Sequence, residues 1–458
     1  MNEHLEQVKN FISELLDSNN YALLKEQLLD MHPADAAAIF EDLFDEMEDK
    51  KNLLVLFRLL PKDLAADTFA FMNSDMQEHL MNLFTDKEIK EVLEQSFIDD
   101  TVDLIEEMPA NVVKRILQNS DAKTRQEINQ ILNYPKDSAG SIMTTEYVSL
   151  RPNMTVDDAF RRIRRIGINK ETIYTCYVTL DNRKLIGLVS VKDLLTTDSD
   201  KLIKDIMETH IVYVMTSTDK EEVAAIASKY DFLAIPVVDN ETRLVGIVTI
   251  DDVIDVIQDE NTEDIEKMAA ILPSEKPYLR TGVFATWRQR IPWLLVLMIS
   301  ATFTGKIISN FEDALAANAV LTAFIPMLMD TGGNSGGQSS VTVIRGMSLN
   351  EIEFRDIFKV IWKEFRVALV CGITLAICNF AKLMLFDRVG VEISLIVCLT
   401  MIITIIMAKF IGGTLPMLAK KVGFDPAVMA SPFITTVVDA LSLIVYFNIA
   451  TKLFGLAG

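Results

Sequence analysis

The chain has 458 residues, half of them hydrophobic, yet it carries a formal net charge of −21, a pairing that a single globular domain does not explain. Residues 1–135 hold 28 acids and 12 bases (−16), residues 136–275 hold 26 and 16 (−10), and residues 276–458 hold 11 and 16 (+5), so two acidic soluble parts precede a mildly basic apolar one. That balance excludes a nucleic-acid partner, whose phosphates demand a basic face, and Cys176, Cys371, Cys378 and Cys398 are spaced neither as a disulfide framework nor as zinc ligands.

The N-terminus, Met1-Asn2-Glu3-His4, lacks a basic n-region and an apolar core, so no cleavable signal peptide is expected. Residues 1–135 are predicted as short amphipathic helices, with apolar residues at helical spacing in Leu53, Leu54, Leu56, Phe57 and Leu60 and again from Val92 to Ile105. Pro33, Pro61 and Pro109 punctuate helix starts, where a missing N–H is tolerated. The expectation is an acidic all-α superhelical domain.

Residues 140–257 contain an internal repeat. Ser141-Ile142-Met143-Thr144 recurs as Asp205-Ile206-Met207-Glu208, and Leu185-Ile186-Gly187-Leu188-Val189-Ser190-Val191-Lys192-Asp193 recurs as Leu244-Val245-Gly246-Ile247-Val248-Thr249-Ile250-Asp251-Asp252. Each unit reads as helix, β-rich run around a turn, then helix. This resembles a tandem pair of CBS domains with an α+β fold. Such pairs often bind adenine nucleotides such as ATP, and the ribose-contacting positions would be Ser190 and Asp193 in the first unit, Thr249 and Asp252 in the second. A hydroxyl at a strand end with an acid opening a helix also makes an ordinary N-cap. Both readings stand.

Residues 252–271 form an acidic helix in which Asp252, Asp255 and Asp259 share a face. Like charges four apart disfavour an isolated helix by roughly 0.2–0.5 kcal/mol each, which a bound cation or simple solvation offsets. Within 278–290, Tyr278, Phe284 and Trp287 beside Arg280, Arg288 and Arg290 suggest a membrane-surface helix. Five spans are then expected, roughly 291–309, 314–330, 365–386, 391–412 and 426–455. Arg345, Arg355, Lys359, Lys363 and Arg366 follow the second span and Lys420 and Lys421 the fourth, which places the N-terminal parts in the cytoplasm and the C-terminus outside.

Two stretches in the spans carry chemistry. After Pro326-Met327-Leu328-Met329-Asp330 comes Thr331-Gly332-Gly333-Asn334-Ser335-Gly336-Gly337-Gln338-Ser339, read as small-residue, non-helical backbone close to a wet path. In the last span Ser431, Thr435, Asp439, Ser442 and Tyr446 form one oxygen-bearing stripe. A carboxylate at that depth costs at least about 2.5 kcal/mol, so Asp439 marks either a buried interhelical hydrogen bond or, as intramembrane acids usually do, an oxygen-lined cation path.

Together these motifs resemble the MgtE family of magnesium channels, through the order of parts and through Gly332-Gly333-Asn334-x-Gly336-x-Gln338-Ser339 and Pro432-x-x-x-Thr436-x-x-Asp439. The resemblance implies four parts: an acidic N-type domain (1–135), the CBS pair (136–257), a connecting "plug" helix with an amphipathic helix (258–290), and a five-span pore domain (291–458). It further implies a homodimer in the cell membrane, importing Mg²⁺ and closed by Mg²⁺ bound to its cytosolic acids, and no enzyme. Pore positions would be Asp439, Thr435, Asn334, Gly332 and Gly333; metal positions would be Asp439 with Asp67, Asp99, Asp103, Asp219, Asp231, Asp252, Asp255, Glu260, Glu263 and Asp264. An ion-coupled divalent-cation transporter on the same scaffold is the alternative. Asp330, where small residues are more usual, and Lys409, late in the fourth span, depart from the pattern. Lys409 is expected either to snorkel or to pair with an acid.

Overall fold

The computed structural model describes residues 3–46, 50–274, 278–311, 319–429 and 431–453, and divides after Ile257 into two compact units. The first begins with α1 (Glu3–Asp17), α2 (Tyr21–Leu29), α3 (Pro33–Glu46), α4 (Lys51–Leu59), α5 (Lys62–Ala70), α6 (Ser74–Leu83), α7 (Asp86–Leu93), α8 (Ile98–Glu107), α9 (Ala110–Asn119) and α10 (Ala122–Ile131). Pro33 opens α3, and Pro61 and Pro109 stand immediately before α5 and α9 in extended backbone, as their spacing predicts. Ile12, Leu24, Phe40, Leu56, Met76, Leu80, Ile89, Val112 and Ile128 are buried in one continuous core. At about 1.5–3 kcal/mol for each such side chain, that core readily outweighs repulsion among surface acids.

The repeat folds as two three-stranded sheets. β1 (Val148–Leu150) pairs parallel with β2 (Thr175–Thr179), which pairs antiparallel with β3 (Leu185–Ser190); β4 (Val214–Met215), β5 (Ala234–Val238) and β6 (Leu244–Thr249) repeat the order. The register shifts at matching points, Val178/Thr179 and Val237/Val238. Around the sheets lie α11 (Val156–Ile166), α12 (Val191–Thr196), α13 (Ile203–Ile206) and α14 (Lys220–Tyr230). The recurring glycine and Ile-Met pair explain each other across the repeat. A β-carbon on Gly246 would lie 2.6 Å from the sulfur of Met143, and one on Gly187 2.6 Å from that of Met207. Thr144 N–H donates to Ile247 O at 2.8 Å and Leu188 N–H to Glu208 O at 3.0 Å, so each Ile-Met segment docks on the glycine-bearing strand of the other unit.

α15 (Ile250–Met268) follows β6 directly. Beyond it come α16 (Val283–Asn310), α17 (Ile325–Ser348), α18 (Ile357–Leu385), α19 (Val391–Val422) and α20 (Ser431–Leu453). The basic-aromatic stretch is not a separate surface helix from Val283 onward, because α16 runs unbroken from there through Pro292. Leu294, Met298, Ile299 and Phe303 on α16 are exposed, as suits a helix facing lipid.

Where five spans are expected, four helical stretches among the described residues are long and apolar enough to cross a membrane: Val283–Asn310, Phe354–Leu385, Val391–Val422 and Pro426–Lys452. Residues 314–318 of the expected second span lie outside the described ones; among those described, a 3₁₀ turn (Ala319–Phe324) leads into α17 at Ile325, and the helix runs on past residue 330 to Ser348. α17 has 24 residues, about 36 Å of helix. It is long enough to cross, but its glycines, serines and threonines lower its hydropathy.

Candidate cation sites

The glycine motif is helical, which corrects the expectation of an irregular segment. Its glycines serve helix packing. A β-carbon on Gly332 would meet Thr404 Cγ2 at 2.7 Å and Val438 Cγ1 at 2.8 Å, one on Gly333 would meet Thr435 Cγ2 at 2.7 Å, and one on Gly336 would meet Ile434 Cγ2 at 2.8 Å. α17 is thus pressed along the Ile434–Thr435–Val438–Ser442 side of α20, as small residues permit between membrane helices. In this register Gly332 and Gly333 are buried, while Asp330, Asn334, Gln338 and Thr342 form an exposed i, i+4 stripe on α17.

Asp439 sits on α20 one turn after Thr435 and beside Val438. It is half-buried, and its Oδ1 is enclosed without a hydrogen-bond partner. The interhelical hydrogen bond that would have explained it is absent at that oxygen. Asp330 on α17 is its electrostatic neighbour. Elsewhere on the stripe Ser442 Oγ donates to Val438 O at 2.6 Å and Tyr446 O–H to Leu321 O at 2.9 Å. Those two hydroxyls are consumed by structure, whereas Asp439 Oδ1 has no hydrogen-bond partner among the described residues.

A second acidic group lies in the soluble unit, where the first turn of α8 meets acids of the repeat. Burial, then Asp252, Asp100 and Glu171, holds the Asp99 carboxyl well above the usual carboxylate range. Burial followed by Asp252 lifts Asp100 to about 6, and burial followed by Asp251 and Asp100 lifts Glu171 to about 8. Asp252 is raised to about 6 by burial, against the opposing hydrogen bond from Thr249. Asp103 is raised too, by enclosing protein and then Asp252, but its side chain is exposed and water screens it more than its neighbours. Acids are locally favourable at the N-termini of α8 and α15; facing one another they are not. Asp99 Oδ1, Glu146 Oε2 and Glu171 Oε2 are buried without hydrogen-bond partners, an all-oxygen set of the kind that hard divalent cations take. Among the described residues no group of three or more acids or histidines is already drawn in to metal-ligand geometry.

The repeat's hydroxyl–acid pairs act as caps. Ser190 Oγ accepts from Asp193 N–H at 3.0 Å while Ser190 N–H donates to Asp193 Oδ2 at 3.2 Å, a full capping box. Thr249 Oγ1 donates to Asp252 Oδ2 at 2.6 Å.

Known proteins carry the same parts in the same order. The model of the divalent cation transporter MgtE matches residues 325–449, that of the MgtE intracellular N domain residues 31–137, and that of the CBS domain residues 139–200 and 203–259. The magnesium transporter MgtE of Thermus thermophilus is 36% identical over 96% of this chain and 97% of its own. The chain belongs to the MgtE family. The Bacillus subtilis MgtE is 34% identical over 92% of each chain. Among solved structures, the soluble part of a magnesium transporter aligns with a TM-score of 0.52 at 31% identity, covering 56% of this chain and 99% of its own. The cytosolic domain of the Mg²⁺ channel MgtE in complex with ATP aligns with a TM-score of 0.50 at 37% identity, covering 54% and 98%.

Of the acids that the MgtE resemblance singles out, the structure gathers Asp99, Asp103 and Asp252, with Asp255 pressing on Asp252 and Asp67 on Asp100. Asp219 and Asp231 are not among the acids that chiefly press on that group. Asp219 caps α14 through Glu221 N–H at 2.8 Å, and Asp231 ends α14 in left-handed backbone. Glu260 is half-buried on α15. Near the end of α15, Glu263 pairs with Lys267, which also holds Asp425 at 2.6 Å. Asp264 is raised by burial and then by Asp425. Sequence reasoning missed Asp100, Glu146, Glu171, Asp251 and Asp425. Asp100 and Asp251 adjoin acids it named, a cue it could have used. Glu146 and Glu171 stand far apart in sequence, and the Glu171 N–H···O=C Glu146 bond of 3.0 Å joins them.

Proposed function

We infer that this MgtE-family chain imports Mg²⁺ across the cell membrane as a homodimeric channel whose cytosolic parts face the cytoplasm and whose C-terminus lies outside. The observation that carries the reading is Asp439, whose carboxylate has an enclosed, unpartnered oxygen beside Thr435 and near the polar α17 stripe. An uncompensated acid at that depth needs a cation. Mg²⁺ keeps octahedral oxygen coordination near 2.1 Å and sheds water reluctantly, so one carboxylate per protomer, with Thr435 a turn away on α20 and Asn334 on the α17 stripe of Asp330, suits passage of a largely hydrated ion. Gly332 and Gly333 set the depth of the path by letting α17 close on α20.

Regulation rests on the second acidic group. Mg²⁺ bound among Asp99, Asp103, Asp252 and their neighbours, and along α15 at Asp255, Glu260, Glu263 and Asp264, neutralises mutual repulsion and favours the compact cytosolic form, read as closed. Asp67, Asp219 and Asp231 belong to this reading as outlying acids. ATP would engage the repeat at Ser190, Asp193, Thr249 and Asp252, breaking the caps they now make; the ATP-bound relative supports this part.

The test is growth rescue, at low external Mg²⁺, of a strain stripped of its own magnesium importers, followed by flux measurement. Rescue with flux that follows the electrochemical gradient and needs no proton or sodium gradient is expected. Correct insertion without rescue overturns the reading, and a coupling-ion requirement moves it to a secondary transporter.

A further inference from the structure

Lys409, the charge that departs from the family pattern, does not snorkel. It is 5% exposed, deep in α19, and its Nζ lies 4.0 Å from Glu364 Oε2 on α18. Glu364 is 9% exposed and accepts a hydrogen bond from Ser339 Oγ on α17 at 2.5 Å; Lys409 Nζ donates to the same hydroxyl at 3.3 Å. Three charged or polar side chains from three helices thus meet in a buried place. Ser339 is the last residue of the glycine motif, three positions after Gly336, whose added β-carbon would lie 3.2 Å from Ala408 O beside Lys409. A β-carbon on Gly413 would lie 3.2 Å from Glu364 Cγ, so glycine on α19 makes room for the acid.

A lone ammonium or carboxylate at this depth is costly, and a pair is tolerated only when geometry and further hydrogen bonds compensate both charges. Here they do, through a hydroxyl that belongs to the pore-side helix. A fixed positive charge in a cation importer would repel its cargo; enclosed and paired, it does not face the path. Gln338, the residue before Ser339, is on the exposed stripe with Asn334 and Asp330, so holding Ser339 fixes the rotation of that stripe.

We propose that Lys409, Glu364 and Ser339 are positioning residues for ion passage, a net-neutral clamp that locks α17 in rotation against α18 and α19 and so aims the Asp330–Asn334–Gln338 face at the path. The proposal rests on the magnesium-import reading for its purpose, not for its existence.

The test is a double-variant cycle on the full chain with Lys409→Met, Glu364→Gln and their combination, plus Ser339→Ala, which removes only the bridge. Each single charge variant leaves one uncompensated charge, and the pair leaves none. Per inserted molecule, each single is expected to lose maximal Mg²⁺ uptake by at least about tenfold and the double to recover to within about threefold of wild type. Ser339→Ala should lower the maximal rate several-fold with unchanged apparent KM, since none of the three touches the ion. The melting midpoint of detergent-purified protein reads the same coupling without transport. Coupling in melting with no uptake by wild type would defeat the import reading and leave the clamp. Wild-type uptake with singles that transport normally, or a double no better than its singles in either readout, overturns the clamp. Should the charge variants fail to insert, normal rate and melting in Ser339→Ala overturns it alone.

Discussion

Gly412 lies against the carbonyl oxygen of Gly336 so closely that a β-carbon on it would overlap that oxygen. Both sides of the contact are helix backbone, so neither can swing away. In an open helix position Gly→Ala gains roughly 0.8–1 kcal/mol of propensity, whereas overpacking a tight contact costs typically 1–3 kcal/mol and sometimes more. Gly412→Ala is therefore expected to lower the melting midpoint of the purified chain and cut uptake, while Gly305→Ala on α16, which meets nothing within 4 Å, leaves both unchanged or slightly improved. Equal behaviour of the two variants would show that α17 and α19 do not need this approach.

The acids around α8 make a pH prediction. Asp100 and Asp252 stand at about 6 and Glu171 at about 8, against roughly 3.9 for Asp and 4.3 for Glu in an unfolded chain. Between those values the assembled form holds protons that the separated form has lost, so its stability falls as pH rises. The contribution is fully present below about pH 4 and is lost progressively as pH rises, that of Asp100 and Asp252 by about 6 and that of Glu171 by about 8. In the absence of divalent ions, limited proteolysis of the full chain near residues 94–110 should be slow at pH 5.5 and faster at pH 8.5. Millimolar Mg²⁺ at the higher pH should slow it again, by supplying the positive charge that protons supplied. A cleavage rate indifferent to pH would mean that these carboxyls do not share one confined space.

What the sequence made legible is what local rules govern. Pro33, Pro61 and Pro109 mark helix starts because proline's constraint acts on its own turn, and the Gly187 and Gly246 repeats were visible because the same strand is written twice. Asp439 stood out because a carboxylate in an apolar run has no local excuse. The misreadings are non-local. Gly332, Gly333 and Gly336 read as loop residues until α20 is seen pressed against them, and glycine spacing alone does not distinguish a helix packed on a helix from irregular backbone. Lys409 is out of place in an apolar run, where either a snorkelling head or an acidic partner would accommodate it; Glu364, 45 positions earlier on another helix, carries no signal until packing brings the two together. Glu146 and Glu171 are single acids in the sequence, and only packing sets Glu171 among Asp251 and Asp252 of α15, Asp100 of α8 and Glu146.

Asp439→Asn and Asp439→Ala are expected to reduce Mg²⁺ uptake to near background while the protein inserts and melts at or above the wild-type temperature. The second half follows from the enclosed, unpartnered Oδ1: a carboxylate that lacks compensation costs stability, so removing it relieves strain that only a passing cation otherwise relieves. Uptake and melting are measured on the same preparations. Near-normal uptake by correctly inserted Asp439→Ala would remove this residue from the path.

Adenine nucleotide is expected to raise the melting midpoint of the full chain in a saturable way, because a ligand that binds only the folded form stabilises it by mass action. The effect should be abolished by Asp193→Ala with Asp252→Ala, although those changes also remove caps worth about 0.5–2 kcal/mol each. The comparison is therefore between shifts with and without ATP in each variant, not between midpoints. Absence of any shift at millimolar ATP leaves Ser190, Asp193, Thr249 and Asp252 as caps alone.

The last prediction concerns the gate. Asp255, Glu263 and Asp264 lie on α15 and face different surroundings. Asp255 presses on Asp252. Glu263 shares Lys267 with Asp425, and Asp264 is pushed up by burial and Asp425. Neutralising all three (Asp255→Asn, Glu263→Gln, Asp264→Asn) removes the charge proposed to bind cations but leaves the Lys267–Asp425 pair to hold the end of α15, so the helix should keep its place. A ligand shifts a two-state equilibrium only by its difference in affinity for the two states, and moving from 1:99 to 99:1 takes a ratio of about 10⁴. Several weak sites must act together to supply it, and losing three of them should raise the internal Mg²⁺ concentration that half-closes the channel at least about tenfold and make the response shallower. Deleting residues 1–135 removes Asp99, Asp100 and Asp103 at once and should act in the same direction. Patch recordings with Mg²⁺ on the cytosolic side measure both midpoint and slope. Closure of the triple variant at the wild-type midpoint would mean that the α15 acids form a solvated face, and that whatever senses Mg²⁺ lies elsewhere in the chain.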